Sequence, residues 1–257
     1  GLTFSVSLVV APMIADIIGV PGLFMLTGIL TVISIGVVAW MTPDPEVSKL
    51  HEDTQAQPSR MGEVLRDRQL LNLDFGIFAL HAAQMALFTA LPFAMTQLGL
   101  EKIQHWKVYL PSTIAGLVIM IPLIIIGETR NKLKQVFILG IACIAAAQIG
   151  LLFGMYSIWL ITAYLIVYFI GFNVLEASLP SMVSKIAPSD LKGTAMGVYN
   201  TMQSVGLFVG GASGGWLFQQ YGFAGVFTFC SVLMLLWLVI AVLAPAPKPV
   251  KNLSYPV

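Results

Sequence analysis

Apolar residues along this chain fall into eight runs separated by short polar interruptions. The runs are 1–15, 22–41, 70–98, 106–127, 136–155, 158–183, 194–219 and 225–243. Most approach or exceed the roughly 20 residues that a helix needs to cross a bilayer. None alternates polar and apolar residues at period two, and their lengths favour helices over strands. The pattern predicts an all-α integral membrane protein with about eight transmembrane helices. It divides the chain into two helices over 1–41, a cytoplasmic-type linker over 42–69, six helices over 70–244 and a tail over 245–257. Within the linker, Arg60 to Arg68 is the stretch able to form a short surface helix.

Composition supports the same class. Hydrophobic residues make up 58% of the 257 positions and charged residues 10%, against the ~25% charge of soluble domains. A net charge of +1 and the lack of basic patches interleaved with aromatics argue against nucleic acid as a partner. The charges are unevenly placed. Lys49, Arg60, Arg66, Arg68, Arg130, Lys132, Lys134, Lys185, Lys192, Lys248 and Lys251 occupy one alternating set of loops, and Lys102 and Lys107 the other. By the positive-inside rule the first set is cytoplasmic, so the first, third, fifth and seventh runs point outward.

Against this apolar background a few polar residues stand out. Glu176 lies inside the sixth run, about eight residues from its inner end, with Asn173 one turn before it and Phe169 on the same face. A carboxylate at such depth is costly and reads first as functional, here as a proton carrier. The third run carries Asp74, His81, Gln84, Met85 and Phe88 along one side of a helix, which makes His81 and Asp74 further proton-site candidates and Gln84, Met85 and Phe88 candidate cavity lining. Tyr164, Tyr168, Phe169 and Asn173 are assigned to the same cavity. Gly206, Gly210 and Gly214 repeat every four residues and leave a helix stripe free of side chains for close packing. The loop bearing Glu128, Arg130 and Lys132 is a candidate cytoplasmic latch between helix ends.

The ends of the chain also resemble each other. GVPGLF, from Gly19 to Phe24, matches GFAGVF, from Gly222 to Phe227, at an offset of 203 residues, and the copies are six spans apart. Parallel six-helix repeats are one way membrane transporters are built. The sequence around Ser213 matches a GxSG protease motif, but no histidine follows it and His81 lies at a different depth, so no enzyme activity is expected. Neither a metal-ligand spacing nor a cofactor signature is present, and no cofactor or metal is expected.

The strings HAAQMALFTALPFAM, HWKVYLP, FNVLEASLPSMVSKIAP and KGTAMGVYNTMQSVGLFVGGASGGWL resemble the YajR-like branch of the major facilitator superfamily, in its drug:proton antiporter group. The resemblance implies a fragment of a twelve-helix transporter, running from the end of the fifth helix through the twelfth. It implies a multi-pass protein of the bacterial inner membrane whose partners are the lipid bilayer, protons, a small-molecule substrate and the missing N-terminal half. The implied function is proton-coupled efflux of hydrophobic or amphipathic molecules; nutrient import and a non-transporting scaffold or sensor are the alternatives. It also implies that the neighbour of the glycine stripe is a helix of the missing half.

Overall fold

In a computed structural model of the chain, residues 2–42 and 57–244 are described. Two compact units emerge, Gly1–Leu50 and His51–Val257. The first contains α1 (Leu2–Met41). The second contains α2 (Met61–Val64), α3 (Arg68–Gln97), α4 (Trp106–Thr129), α5 (Leu133–Phe153), α6 (Ile158–Ile186) and α7 (Lys192–Leu243). Half of the predicted linker, 43–56, and the predicted tail, 245–257, lie outside the described residues.

Among the described residues, six helices are long and apolar enough to cross a membrane, two fewer than the runs in the sequence. The difference has a local cause. Helix α1 is broken at Gly19 (φ 70°) and α7 at Gly222 (φ 62°). Each break therefore falls at the first glycine of one copy of the repeated string. A positive φ is easily reached only by glycine, so a single residue turns the chain where a loop would otherwise be needed. Side-chain neighbours confirm that α7 doubles back. Gly206, Gly210 and Gly214 meet Phe78, Ala82 and Ala86 of α3 in the same order, whereas Trp237 lies at Gly76 and Cys230 at Ala83. The first part of α7 thus runs parallel to α3 and the second antiparallel to it.

Helix ends are set by capping. The Asp67 side chain accepts hydrogen bonds from the Gln69 and Leu70 amides and starts α3; Ser157 does the same for α6 through Leu160. Gly99 (φ 85°) and Asn131 (φ 53°) close α3 and α4 in left-handed turns. In each, the next amide reaches back to the helix, Leu100 to Met95 at 3.0 Å and Lys132 to Gly127 at 2.8 Å.

The bundle core is sealed by close approaches. A Cβ built on Gly116 of α4 would stand 2.7 Å from Phe169 of α6, and one on Gly140 of α5 3.0 Å from Leu175. Substitution at either would force the helices apart. Trp237, Tyr168, Phe169 and Phe227 are fully buried between the helices.

One end of this bundle gathers the loops that carry the excess positive charge. Lys134 at the start of α5 donates to the Val242 and Ala244 carbonyls at the end of α7, at 3.3 and 2.6 Å. A cation there satisfies terminal carbonyls and opposes the helix dipole. Residues 57–63 dock on the α6–α7 turn. The Gln57 amide donates to Thr194 Oγ1 at 2.8 Å, and Arg60 bonds both Glu63 and Asp190. The Arg60 hydrogen bond holds the Glu63 carboxyl below its ordinary range and raises the guanidinium in turn.

Candidate functional site

Halfway along α3, His81 is almost fully buried, 4% exposed. Its Nδ1 lies 3.2 Å from the Ile77 carbonyl of the preceding turn. A carbonyl only accepts, so Nδ1 carries the proton of the neutral ring and Nε2 presents a lone pair. Two side chains from other helices converge on that nitrogen. Glu176 Oε2 of α6 stands 3.7 Å away, and the Gln203 side-chain nitrogen of α7 donates at 2.8 Å. Three helices therefore meet at one imidazole nitrogen.

Glu176 differs from His81 in access. Its side chain is 38% exposed, against 5% for the histidine, and Oε2 has no hydrogen-bond partner among the described residues. Of the pair, Glu176 is the side chain that reaches the bundle surface, although its Oε2 is itself buried. One turn back, Asn173 is buried with its Nδ2 unpartnered. Phe172 covers the histidine edge-on at 6.0 Å and stacks on Tyr168 at 6.0 Å.

The other sequence candidates divide. Gln84 is buried, Met85 is at the bundle surface with its methyl 4.0 Å from a Cβ built on Gly211, and Phe88 leans on Tyr109 with ring centroids 5.4 Å apart. Asp74 is buried two turns inward of His81, about 10 Å along the helix, and one carboxyl oxygen has no partner. It does not join the His81–Glu176 pair. Tyr168 and Phe169 are fully buried between helices, Phe169 against Gly116. Tyr164 is corrected: its ring lies against Gly150 of α5 and Gly154 just past its end, not on the Asn173–Glu176 face. Seven residues separate it from Gly171, which also faces α5, and seven residues bring a helix back to the same side.

The glycine stripe also needs correction. Its neighbour is α3 of this same chain rather than a helix outside it. A Cβ on Gly206 would stand 2.5 Å from the Phe78 carbonyl oxygen, and one on Gly214 2.7 Å from the Ala86 Cα; Gly210 is tighter still against Ala82. At the charged end, Glu128 reaches Lys185 of α6 at 3.8 Å, with both side chains more than half exposed. Arg130 and Lys132 form no ion pair among the described residues, so the latch as read contains one contact.

Sequence reasoning missed Gln203 and Phe172. Gln203 had a visible signal: it is a polar side chain inside an apolar run, one turn before Gly206.

Comparison with known proteins identifies the family. The family model of the Major Facilitator Superfamily matches residues 1–211 and 182–256. The inner membrane transport protein YajR of Escherichia coli is 35% identical over 98% of the chain and 56% of its own length. An uncharacterized transporter of Buchnera aphidicola is 26% identical over 95% of the chain and 62% of its own length. Multidrug resistance protein MdtH of Cronobacter sakazakii is 25% identical over 81% of the chain and 54% of its own length. The chain thus spans little more than half the length of these relatives. Membrane-length helices and these relatives together make it a multi-pass protein of the bacterial inner membrane. The matching family model and the transporter at 35% identity establish that the chain belongs to the major facilitator superfamily.

Proposed function

We infer that this chain is the C-terminal part of a twelve-helix secondary transporter that exports hydrophobic or amphipathic small molecules in exchange for protons. Residues 1–41 supply the last two helices of the N-terminal half, 42–69 the cytoplasmic linker and 70–244 the C-terminal bundle. The missing N-terminal half completes the central cavity. The observation that carries the reading is the 3.7 Å approach of Glu176 to the buried His81 at mid-bundle.

A bare carboxylate and an imidazolium are each costly in a low-dielectric site, but a proton shared between them reduces the cost of both states. In the sequence of events we propose, Glu176 takes a proton when its face is open to the outside. Closure of that face keeps the carboxyl neutral, and opening to the cytoplasm releases the proton. Substrate occupies the same opening in the deprotonated state, so one conformational cycle moves the two in opposite directions. Asp74 serves as a separate proton acceptor nearer the cytoplasm. Asn173, Gln84, Met85 and Phe88 line the substrate route, and their mixture of amide, thioether and phenyl groups suits greasy molecules with a small polar part. The name of the MdtH relative, a multidrug resistance protein, supports that class of substrate.

Ethidium efflux from proteoliposomes holding the full-length transporter tests the reading. An inward proton gradient should drive efflux, and a protonophore should abolish it. Efflux that continues unchanged after the gradient collapses would contradict proton coupling.

A further inference from the structure

We propose that Gln203 is a positioning residue that competes with Glu176 for His81 Nε2, and that the occupant of that nitrogen is set by the charge of the ring. The geometry is specific. With its proton on Nδ1 and bonded to the Ile77 carbonyl at 3.2 Å, the neutral ring offers Nε2 as an acceptor only. The Gln203 amide nitrogen donates to it at 2.8 Å. Glu176 Oε2 has no donor of its own and waits 3.7 Å from the same atom. An ionised carboxylate cannot hydrogen-bond a lone pair, so with the ring neutral and Glu176 ionised the amide holds the position.

Protonation reverses the preference. A proton on Nε2 points at the NH2 group of Gln203, two donors facing each other. The amide must then rotate to present its oxygen or withdraw. Glu176 now gains a charged donor, and closing 3.7 Å to the ~2.9 Å of a normal bond takes only a side-chain adjustment. The groups that face the ring are Glu176 from α6 and Gln203 from α7. Tyr199 is buried one turn inward on α7, and Asp74 lies two turns along α3 itself.

The exchange has a mechanical consequence. Gln203 sits one turn before Gly206, where the close seam between α7 and α3 begins. With the ring neutral, a hydrogen bond joins α7 to α3 at the head of that seam. With the ring charged, the bond is replaced by one between α3 and α6. The charge of one imidazole is thereby read as a choice of which helix α3 is tied to. The role of this exchange in transport rests on the proposed function; the exchange itself does not.

The full-length transporter, labelled with 15N-histidine and held in lipid nanodiscs, provides the test, with His81 assigned by its loss in His81→Asn. The neutral ring should give the signature of the Nδ1–H tautomer with a hydrogen-bonded Nε2. Gln203→Met keeps the length but removes the donor that favours the neutral ring, so the midpoint of the His81 titration should stand about 0.5–1 pH unit above the wild type, the size of one hydrogen bond. Gln203→Asn retains an amide on a shorter stem and should give an intermediate shift, so the question is answered even where the methionine variant folds poorly. An Nε2–H tautomer in the wild type, or a midpoint unmoved in the folded variants, overturns the proposal. A midpoint that moves while the pH profile of ethidium efflux stays fixed upholds the exchange and refutes its use in proton coupling.

Discussion

Helix α7 meets α3 through two contacts that follow one another along the chain and work in opposite ways. At Gly206, Gly210 and Gly214 the contact has no side chain on the α7 side, and backbone lies against backbone. At Gln203 the contact consists of side chains alone, one amide on one imidazole. The seam has a single geometry, because any added atom collides with main chain. The polar contact has at least two, because an amide can rotate and Glu176 stands ready as a second partner. A transporter needs both kinds of contact. Rigid packing keeps its half moving as one body, and a loosely partnered polar group gives that motion something to respond to.

The largest expected effect comes from breaking the seam. Gly210→Leu places a branched side chain inside the Ala82 backbone. The cost should reach or exceed the ~1–3 kcal/mol of ordinary overpacking, because backbone cannot yield as a side chain can. Thermal unfolding in detergent should fall sharply or the protein should fail to fold. Wild-type thermal stability in this variant would mean the seam is not as close as described.

A smaller effect is expected where a side chain ties two helix ends. Lys134→Met removes the donor to the Val242 and Ala244 carbonyls and should cost about 0.5–1 kcal/mol, read as faster hydrogen exchange at the end of α7 with the seam unchanged.

The docking of residues 57–63 should depend on acid. The hydrogen bond from Arg60 that crosses to the turn lowers the Asp190 pKa from its ordinary 3.8. A depressed carboxylate stabilises the folded contact above its unfolded value and loses that contribution as pH falls through the lowered one. Exchange protection of the Gln57 amide, corrected for intrinsic rate, should therefore be constant near neutrality and fall only below 3.8. Loss of protection near pH 7 would remove Asp190 from the contact.

The smallest effect belongs to the latch. Glu128 and Lys185 are both more than half exposed at 3.8 Å, and such pairs contribute between zero and ~1 kcal/mol. Lys185→Ala should leave the unfolding temperature within a degree or two.

Much of the fold was legible because hydropathy is written locally. The bilayer demands long apolar helices, and run length marks where they lie along the chain. The turns at Gly19 and Gly222 were also visible, as the repeated strings that begin there, although not as breaks within continuous helices. What could not be read was which helix faces which. His81 and Glu176 are 95 positions apart (176 − 81), and their meeting depends on the order of the helices in the bundle. The partner of the glycine stripe was misplaced for the same reason, although Ala82 and Ala86 carry the matching four-residue spacing of small residues on α3. Tyr164 failed on angle. It lies nine residues before Asn173, about 180° around the helix, so grouping it with the cavity by residue type ignored the face it occupies.

The central claim is that Glu176, paired with His81, carries the proton that drives transport. It is tested most directly by comparing two reactions of Glu176→Gln in proteoliposomes with ethidium as the probe: exchange across the membrane without a gradient, and efflux driven by an imposed pH gradient. The glutamine mimics the neutral carboxyl and leaves the fold in place. Exchange should persist at near wild-type rate while gradient-driven efflux is lost, and pyranine trapped in the vesicles should report no proton flux on addition of ethidium. Gradient-driven efflux at the wild-type rate would contradict the account and make Glu176 a structural carboxylate.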